Sequence, residues 1–323
     1  LKGRGLTGEI AARYGMGYAP DGWDGLRSVF PDYEVEALVE SGLVIDRVEE
    51  DGSHHKRYDR FRDRIMFPIR NTKGQVIGFG GRVLDNGEPK YLNSPETPLF
   101  QKGSELYGLF EARQAIREAG YALVTEGYMD VVALAQLGFP QAVATLGTAC
   151  TPIHVQKLLR QTDQVIFSFD GDKAGRRAAR RALEASLPHA GDNKVIKFLF
   201  LPSEHDPDSY IRELGSEAFE KQVQDAMPLS QFLLKEAVGD NDLGTPEGRA
   251  RAQFDAKPLL QALPPSSLRL QIVRSLAQIT ESTPAEIEAL FELSQPISHV
   301  RAPPPRTKRA APQGLERLSL IHI

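Results

Sequence analysis

Acidic side chains follow three of the predicted strands, at the point where each strand ends. In chain order they are Glu126, Asp170 with Asp172, and Asp206 with Asp208. Because the carboxyl ends of parallel strands meet at one edge of a sheet, we expect these five carboxylates to lie close together. Crowded carboxylates repel one another unless they are protonated or coordinated by a cation. Oxygen ligands without histidine favour Mg²⁺, so the pattern predicts metal-dependent phosphoryl chemistry.

Some acids of these clusters could have a structural role instead of binding a metal. An Asp that precedes a helix often serves only as its N-cap, and Asp172 and Asp208 could each play that role alone. The glycines next to the first two clusters, Gly127 and Gly171, carry no side chain. We interpret them as leaving room for a substrate to approach the backbone.

The elements that position the acids alternate between strands and helices. We predict strands over 122–125, 142–145, 164–169 and 194–200, and helices over 128–137, 151–160 and 173–187. Such alternation is typical of a parallel sheet with helices on both faces. After about residue 213 the strands stop, and helix starts at Thr245 and Thr283 predict a small helical bundle.

Charge is unevenly distributed along the chain. The 323 residues include 39 Lys and Arg against 43 Asp and Glu, which disfavours a nucleic-acid binder that is basic throughout. Residues 54–117 instead hold twelve basic and seven acidic residues, and strands over 64–69 and 75–83 flank the turn sequence Asn71–Gly74. This segment therefore predicts a hairpin in a mixed, basic N-terminal unit. It either contacts nucleic acid or presents a solvated charged face.

The cysteine content and the apolar runs of the chain limit its possible cellular location. Cys150 is the single cysteine, which excludes a disulfide within the chain and a cysteine-based zinc site, and favours a cytoplasmic location. No apolar run approaches the roughly 20 residues of a membrane span, so we expect no membrane contact.

We interpret Trp23 as a hydrophobic anchor. The helix over 173–187 carries four arginines that could contact nucleic acid or triphosphate, but we favour a solvated face: Arg176, Arg177, Arg180 and Arg181.

Longer motifs carry a resemblance to a known family. The motifs are Arg62–Arg70 (RDRIMFPIR), Gly78–Arg82 (GFGGR), Pro89–Thr97 (PKYLNSPET), Glu126–Val131 (EGYMDV) and Phe169–Gly175 (FDGDKAG). Glu-Gly after one strand and Asp-x-Asp after a later strand resemble the Toprim domain of topoisomerases, primases and related nucleases. Together the motifs resemble the bacterial replicative DNA primases of the DnaG type, over roughly residues 1–295, which correspond to the family's RNA-polymerase core.

The elements and the resemblance together predict an α/β fold in three parts and a tail. These are an N-terminal basic α/β subdomain (1–118), a central Toprim parallel-sheet subdomain that binds metal (119–213), a small C-terminal helical bundle (214–296) and a proline-rich linker or tail (297–323). The N-terminal part would contact template and RNA.

The resemblance also implies roles for individual residues. The positions that match the family's catalytic, metal-binding acids are Glu126, Asp170 and Asp172. Those that match its supporting acids at the metal are Asp130, Asp206 and Asp208. The positions that match contacts to template, nucleotide or nascent RNA are Arg13, Arg62, Arg64, Arg82, Lys90, Tyr91 and Lys102.

The implied activity is DNA-directed synthesis of short RNA primers, by metal-dependent nucleotidyl transfer that releases pyrophosphate. Mg²⁺, or Mn²⁺ in its place, is the implied cofactor. The residues leave open whether Glu126 binds the cation or acts as general base. The implied partners are a single-stranded DNA template, ribonucleoside triphosphates and the RNA–DNA hybrid, at replication forks.

Two parts of the family have no counterpart in this sequence. The N-terminal zinc ribbon needs cysteines that are missing here, so we expect no zinc in this chain. We also find no helicase-binding domain after the proline-rich segment, and expect contact with the replicative helicase only through a domain absent from this chain. Rival interpretations are a Toprim nuclease or topoisomerase, and a non-catalytic module that binds single-stranded DNA through residues 54–102.

Overall fold

A computed structural model of the chain describes residues 5–48, 55–84 and 87–293. The linker or tail predicted at 297–323 lies outside the described residues. The described residues form an antiparallel N-terminal sheet, a largely parallel central sheet and a C-terminal set of helices. The predicted α/β fold class is therefore confirmed. None of the described helices is long and apolar enough to cross a membrane.

The N-terminal part is built from short helices and antiparallel strands. Its elements are α1 (Gly8–Arg13), β1 (Gly17–Ala19), α2 (Glu36–Glu40), β2 (Val44–Val48), β3 (His55–Asp59), β4 (Arg64–Arg70), β5 (Val76–Val83) and β6 (Tyr91–Asn93), with a 3₁₀ turn at Gly25–Ser28. Strands β1, β4, β5 and β6 form one sheet in that order, while β2 pairs with β3. The predicted hairpin is confirmed, because Asn71 Oδ1 accepts hydrogen bonds from the backbone N–H groups of Lys73 and Gln75 and closes the β4–β5 turn.

The central part is the predicted sheet with its covering helices. Its elements are α3 (Leu109–Ala119), β7 (Ala122–Thr125), α4 (Tyr128–Gln136), β8 (Ala142–Ala144), α5 (Pro152–Leu159), β9 (Gln164–Phe169), α6 (Lys173–Ser186) and β10 (Val195–Phe200). The strand order is β8, β7, β9, β10, all parallel, with β11 (Met227–Pro228) antiparallel on the β10 edge. The prediction that strands stop after residue 213 is wrong for β11, because two residues are too few to show a periodic pattern.

Helices make up the C-terminal part. They are α7 (Pro207–Leu214), α8 (Ser216–Gln224), α9 (Leu229–Val238), α10 (Pro246–Ala262), α11 (Ser267–Ile279) and α12 (Pro284–Leu290). Both predicted helix starts are confirmed: Thr245 caps α10, and Thr283 forms a capping box with Glu286 at α12. The predicted boundaries at 118/119 and 213/214 fall inside α3 and α7 and stay predictions.

The central strands alternate their side chains between two apolar layers. Leu123 and Ile166 pack with residues of α4, α7 and α8 on one face. Val124 and Phe167 point the opposite way and pack with residues of α3, α5, α6 and the C-terminal helices. Because both faces are buried, these strands consist mainly of apolar residues, and acidic side chains occur only after each strand has ended.

An aromatic cluster joins the N-terminal sheet to the central part. The ring of Tyr128, the first residue of α4, stacks on Phe67 of β4 with 5.4 Å between centroids. Tyr107 meets the Tyr128 ring edge-on at 4.8 Å. All three residues are buried in one apolar cluster. This joint fixes the position of the N-terminal sheet relative to the acid-bearing loop that follows β7.

Gly80 of β5 offers a test of this joint. A Cβ at Gly80 would lie 2.7 Å from the Tyr128 ring, whereas one at Gly17, in β1 of the same sheet, would meet nothing within 4 Å. Overpacking a rigid aromatic contact costs about 1–3 kcal/mol. We therefore expect Gly80→Ala to lower the free energy of unfolding in urea by that amount, and Gly17→Ala to lower it by less. Equal effects of the two variants would contradict the proposed packing.

Candidate active site

The acids meet at the carboxyl-terminal edge of the central sheet. Parallel strands β7 and β9 are neighbours, and Glu126 and Asp170 are the first residues after them. Strand β10 lies on the other side of β9, and the segment that follows it leads to Asp206 and Asp208 at the start of α7. Asp172 precedes α6 on the loop after β9. The topology therefore brings acids from three separate segments to one edge.

These carboxylates raise one another's pKa values. Burial raises the pKa of the Glu126 carboxyl, and the charges of Asp170 and Asp172 raise it further. Burial also raises the pKa of Asp170, with the charges of Asp206 and Asp172 adding to the effect. Each shift means that a proton, or another positive charge, is favoured in this cluster.

Asp130 has the most strongly perturbed carboxyl of this group. Burial foremost, together with the charges of the surrounding carboxylates, of which Asp206 has the largest effect, raises its pKa from 3.8 to about 7. It lies in the first turn of α4, where a Cβ on Gly127 would come within 3.0 Å of its Oδ2. The space at Gly127 is therefore taken by Asp130, which corrects our interpretation of that glycine as room for a substrate.

The glycines after β9 serve tight packing of the backbone. A Cβ at Gly171 would collide with the backbone carbonyl oxygen of Leu201, and one at Gly175 would collide with that of Asp170. The interpretation of Gly171 as room for a substrate is therefore wrong, because the segment after β10 fills that space. Both contacts hold the Asp170 loop firmly against its neighbours.

The N-cap alternative, which we considered for Asp172 and Asp208, holds for Asp172 but not for Asp208. Asp172 Oδ1 accepts a hydrogen bond from the Gly175 N–H at 2.7 Å and caps α6. The cap of α7 is Asp206, which accepts from the Ser209 N–H at 2.7 Å. Asp208 is not a cap, and it forms an ion pair with Arg212. A capping carboxylate still has a second oxygen that can accept a further ligand.

The donor set fits a divalent cation in its chemistry. It consists of six carboxylates without histidine or cysteine, which suits Mg²⁺ or Mn²⁺: Glu126, Asp130, Asp170, Asp172, Asp206 and Asp208. Within the described ranges, however, no three His, Cys, Asp or Glu side chains are arranged ready to hold a metal ion. The acids therefore form an electrostatic cluster rather than a preformed coordination shell.

Most of the predicted basic and aromatic residues gather on the N-terminal sheet. Arg82 of β5 lies opposite Tyr91 of β6, with its guanidinium 5.6 Å from the centre of the Tyr91 ring. The buried Arg82 Nε has no hydrogen-bond partner among the described residues. Arg64 is buried and donates hydrogen bonds to the carbonyl oxygens of Pro89 and Gly81, so it supports the loop that carries Lys90.

Arg62 and Trp23 form a second, more exposed part of this surface. The Arg62 guanidinium lies 4.2 Å from the Trp23 ring centre, and the Lys56 amine lies 5.3 Å from it. Trp23 is 56% exposed, so its interpretation as a hydrophobic anchor is wrong. The ring is instead an exposed aromatic face bordered by cations, a combination found in single-strand binding surfaces.

Two predicted contact residues lie elsewhere. Arg13, at the end of α1, donates a hydrogen bond to the Glu111 carbonyl oxygen on α3. The backbone carbonyl of Lys102 contacts the His154 ring of α5 at 2.9 Å. Within the part of the chain that the structure describes, neither Arg13 nor Lys102 contacts Arg62 or Arg82.

Tyr128 and Asn93 connect the basic surface to the acids, and sequence reasoning gave neither a role. The Tyr91 and Tyr128 rings are 6.3 Å apart, and the Tyr128 hydroxyl donates a hydrogen bond to Asn93 Oδ1. Asn93 Nδ2 in turn donates to the Leu146 carbonyl oxygen at 2.9 Å. Both residues lie inside motifs quoted above, but only the fold shows that those motifs touch.

Comparisons with known proteins agree with this arrangement. A family model described as the N-terminal domain of the DNA primase catalytic core matches residues 1–113, and a Toprim-like model matches residues 123–211. A third, described as the DnaB-helicase binding domain of primase, matches residues 230–283, which span α9 to α11. This third match contradicts our prediction that the chain lacks a helicase-binding segment.

Similar proteins and structures extend over most of the chain. The DNA primase of Neisseria meningitidis serogroup A is 52% identical over 302 residues, which are 93% of this chain and 50% of that protein. The chain thus spans about half the length of the curated relatives it matches. A DNA primase domain from Pseudomonas aeruginosa is 48% identical with a TM-score of 0.85, covering 90% of this chain and 91% of that one. A DnaG primase catalytic domain bound to ssDNA is 47% identical with a TM-score of 0.82, covering 88% and 89%. The chain therefore belongs to the DnaG-type DNA primases and corresponds to their catalytic core.

Proposed function

We propose that this chain is a DNA-directed RNA polymerase that makes short RNA primers on single-stranded DNA. The observation that carries the proposal is the carboxylate cluster at the sheet edge, connected through Tyr128 and Tyr91 to a cationic surface. The relatives named DNA primase and the neighbour bound to ssDNA support it. Ribonucleoside triphosphates would be the substrates and pyrophosphate the leaving group.

Glu126, Asp170 and Asp172 would hold the cation, with Asp130, Asp206 and Asp208 supporting them. The cation, Mg²⁺ or Mn²⁺, would neutralise the triphosphate and stabilise the charge that develops during nucleotidyl transfer. The 3′-hydroxyl oxygen forms the new bond to the α-phosphorus, and the bond to pyrophosphate breaks. In the alternative role, Glu126, whose pKa is raised, would accept the hydroxyl proton as a general base.

The N-terminal surface would bind the template and the RNA–DNA hybrid. Lys90 and Tyr91 are exposed at the edge of the sheet, next to Arg82, and Arg62 adds a cation on the Trp23 face. Cations that track phosphates give affinity without sequence preference, and exposed rings stack on bases. Arg64 would act indirectly by supporting the Lys90 loop. Arg13 and Lys102 would contact nucleic acid or nucleotide away from this group.

The helicase would be a further partner. The match to a DnaB-helicase binding domain covers residues 230–283, which span α9 to α11. The replicative helicase would bind this helical part of the chain, and the family-model match supports that proposal.

Asp170 provides the direct test of the site. We expect Asp170→Asn to reduce extension of an RNA primer annealed to single-stranded DNA by at least about 100-fold, since loss of a metal-site carboxylate removes charge that the cation needs. The same change relieves repulsion, so it should not lower the stability of the metal-free protein. Asp240→Asn, at an exposed position without a role in the site, is the matched control.

Three results would count against this assignment. Full extension by Asp170→Asn would remove Asp170 from the site. Shortened DNA without ribonucleotides would favour the nuclease interpretation. DNA binding without extension, unchanged in Asp170→Asn, would favour the non-catalytic module.

Asp130 predicts a pH dependence of stability. A folded-state pKa of about 7 against 3.8 means that the folded protein binds this proton more tightly than the unfolded chain. The associated stability is therefore present at low pH and is lost as the pH rises from about 4 toward 7. Without divalent cations, the unfolding free energy of the wild type should fall across this window relative to Asp130→Asn. Urea unfolding at several pH values measures this difference, and a constant difference would contradict the coupling.

Lys90 predicts the salt dependence of DNA binding. Lys90→Gln should weaken binding of single-stranded DNA and reduce the slope of log affinity against log salt by about 0.7, the value for one phosphate contact. Fluorescence anisotropy with labelled DNA between about 50 and 200 mM salt measures the slope. Lys221→Gln on α8 is the control, and the same loss of slope in both variants would remove Lys90 from the interface.

A further inference from the structure

A pocket of about 290 Å³ lies beside Glu126, on the side of the sheet that packs against α6. Its walls come from the ends of β7 and β9, from α6, and from the loop between β8 and α5. The polar residues that line it are Thr125, Glu126, Thr145, Thr148, Cys150 and Arg181. This volume is near the lower end of small-molecule sites, roughly 300–1,000 Å³, so the pocket fits part of a nucleotide rather than a whole drug-sized ligand.

Several hydrogen-bond donors that line the pocket have no partner among the described residues. Arg181 makes no hydrogen bond or ion pair with any residue that the structure describes. The backbone N–H groups of residues 147–150 likewise donate no hydrogen bond to the described part of the chain. Unused donors that converge on one concave site favour an acceptor-rich ligand.

The charges that line the pocket also favour an anion. Arg181 is the single basic residue of the lining, and Glu126 is the single acidic one. Burial raises the pKa of Cys150 to about 12, so its thiol stays uncharged. In the proposed function the carboxylate of Glu126 binds a cation, which neutralises its charge. The positive charge of Arg181 then remains to attract an anionic ligand.

Arg181 differs from the other arginines of its helix because it lines the pocket and forms no ion pair with the described residues. Arg180 is held by ion pairs with Glu184 on the same helix and Glu236 on α9, at 2.9 and 3.2 Å. Arg176 and Arg177 are exposed and do not line the pocket. Arg181 is exposed as well, as a solvated face predicts, but it differs from Arg176 and Arg177 in lining the pocket beside the loop after β8.

We propose that this pocket binds phosphate groups of the nucleoside triphosphate, through Arg181, the Thr148 hydroxyl and the backbone N–H groups of residues 147–150. The proposal rests on the proposed function, because it assigns part of the same substrate to a place next to Glu126. It identifies Arg181 and Thr148 as binding residues outside the acid cluster and outside the N-terminal basic surface.

Cys150 allows a test that does not depend on catalysis. It is the only cysteine of the chain and it lines the pocket, so the rate of its modification by methyl methanethiolsulfonate reports access to that space. Inorganic tripolyphosphate or ATP, at about ten times its dissociation constant, should slow the modification by roughly tenfold in the wild type. Mass spectrometry follows the reaction.

Matched variants distinguish this pocket from other effects. Arg181→Ala should remove most of the protection, and Thr148→Val, at an exposed loop position, should weaken it. Arg177→Ala on the same helix should keep it. Protection that persists in Arg181→Ala would overturn the proposal, because the ligand would then bind elsewhere.

The ligand series tests the chemistry of the pocket. Protection by adenosine equal to that by ATP, or by an oligodeoxynucleotide but not by tripolyphosphate, would overturn the assignment to the triphosphate. Absence of any protection by tripolyphosphate would overturn it as well. Primer extension by the same wild-type preparation tests the proposed function separately, so either proposal can fail while the other holds.

Discussion

Repulsion among carboxylates at one edge of a sheet is the constraint on which the rest of this structure depends. Parallel strands bring their carboxyl ends together whatever residues follow them, so the topology that builds the site also concentrates its negative charge. Tight backbone contacts at Gly171 and Gly175 prevent the Asp170 loop from moving away. Desolvation and neighbouring charges raise the pKa values of Glu126, Asp130 and Asp170 as a result. A divalent cation relieves this repulsion more effectively than a proton, because it neutralises more than one carboxylate at once.

A negative edge repels polyanions, so the nucleic acid and triphosphate of the proposed function would have to be attracted by cations elsewhere on the molecule. The N-terminal sheet carries cations that lie beside exposed rings, and the aromatic joint around Tyr128 holds that sheet against the acid-bearing loop. Because Tyr128 comes two residues after Glu126, the same short segment provides an acid and the packing that orients the basic surface. Stability of the joint and geometry of the site are therefore coupled through α4.

The central sheet could be predicted from the sequence because its strands are buried on both faces and end at polar residues. The bounds of β7 and β9 agree with the predicted ones for this reason. The environments of individual side chains could not be predicted. Arg62 and Arg64 share one motif, yet Arg62 lies against Trp23 while Arg64 is buried under the Pro89 loop. That difference depends on contacts with segments distant in sequence, which spacing within a motif does not encode.

The same limit explains why Arg181 resembles an ordinary solvated residue in the sequence. The buried residues of α6, among them Ala179, Ala182 and Leu183, show which face of the helix packs on the sheet. The loop after β8 is what converts the border of that face into a pocket, and this loop is some thirty residues away in the chain. Whether a cation at the border of an amphipathic helix is solvated or lines a binding site is therefore decided by the neighbouring loop. In this fold the loop places unused N–H donors in the same pocket as Arg181 and Glu126.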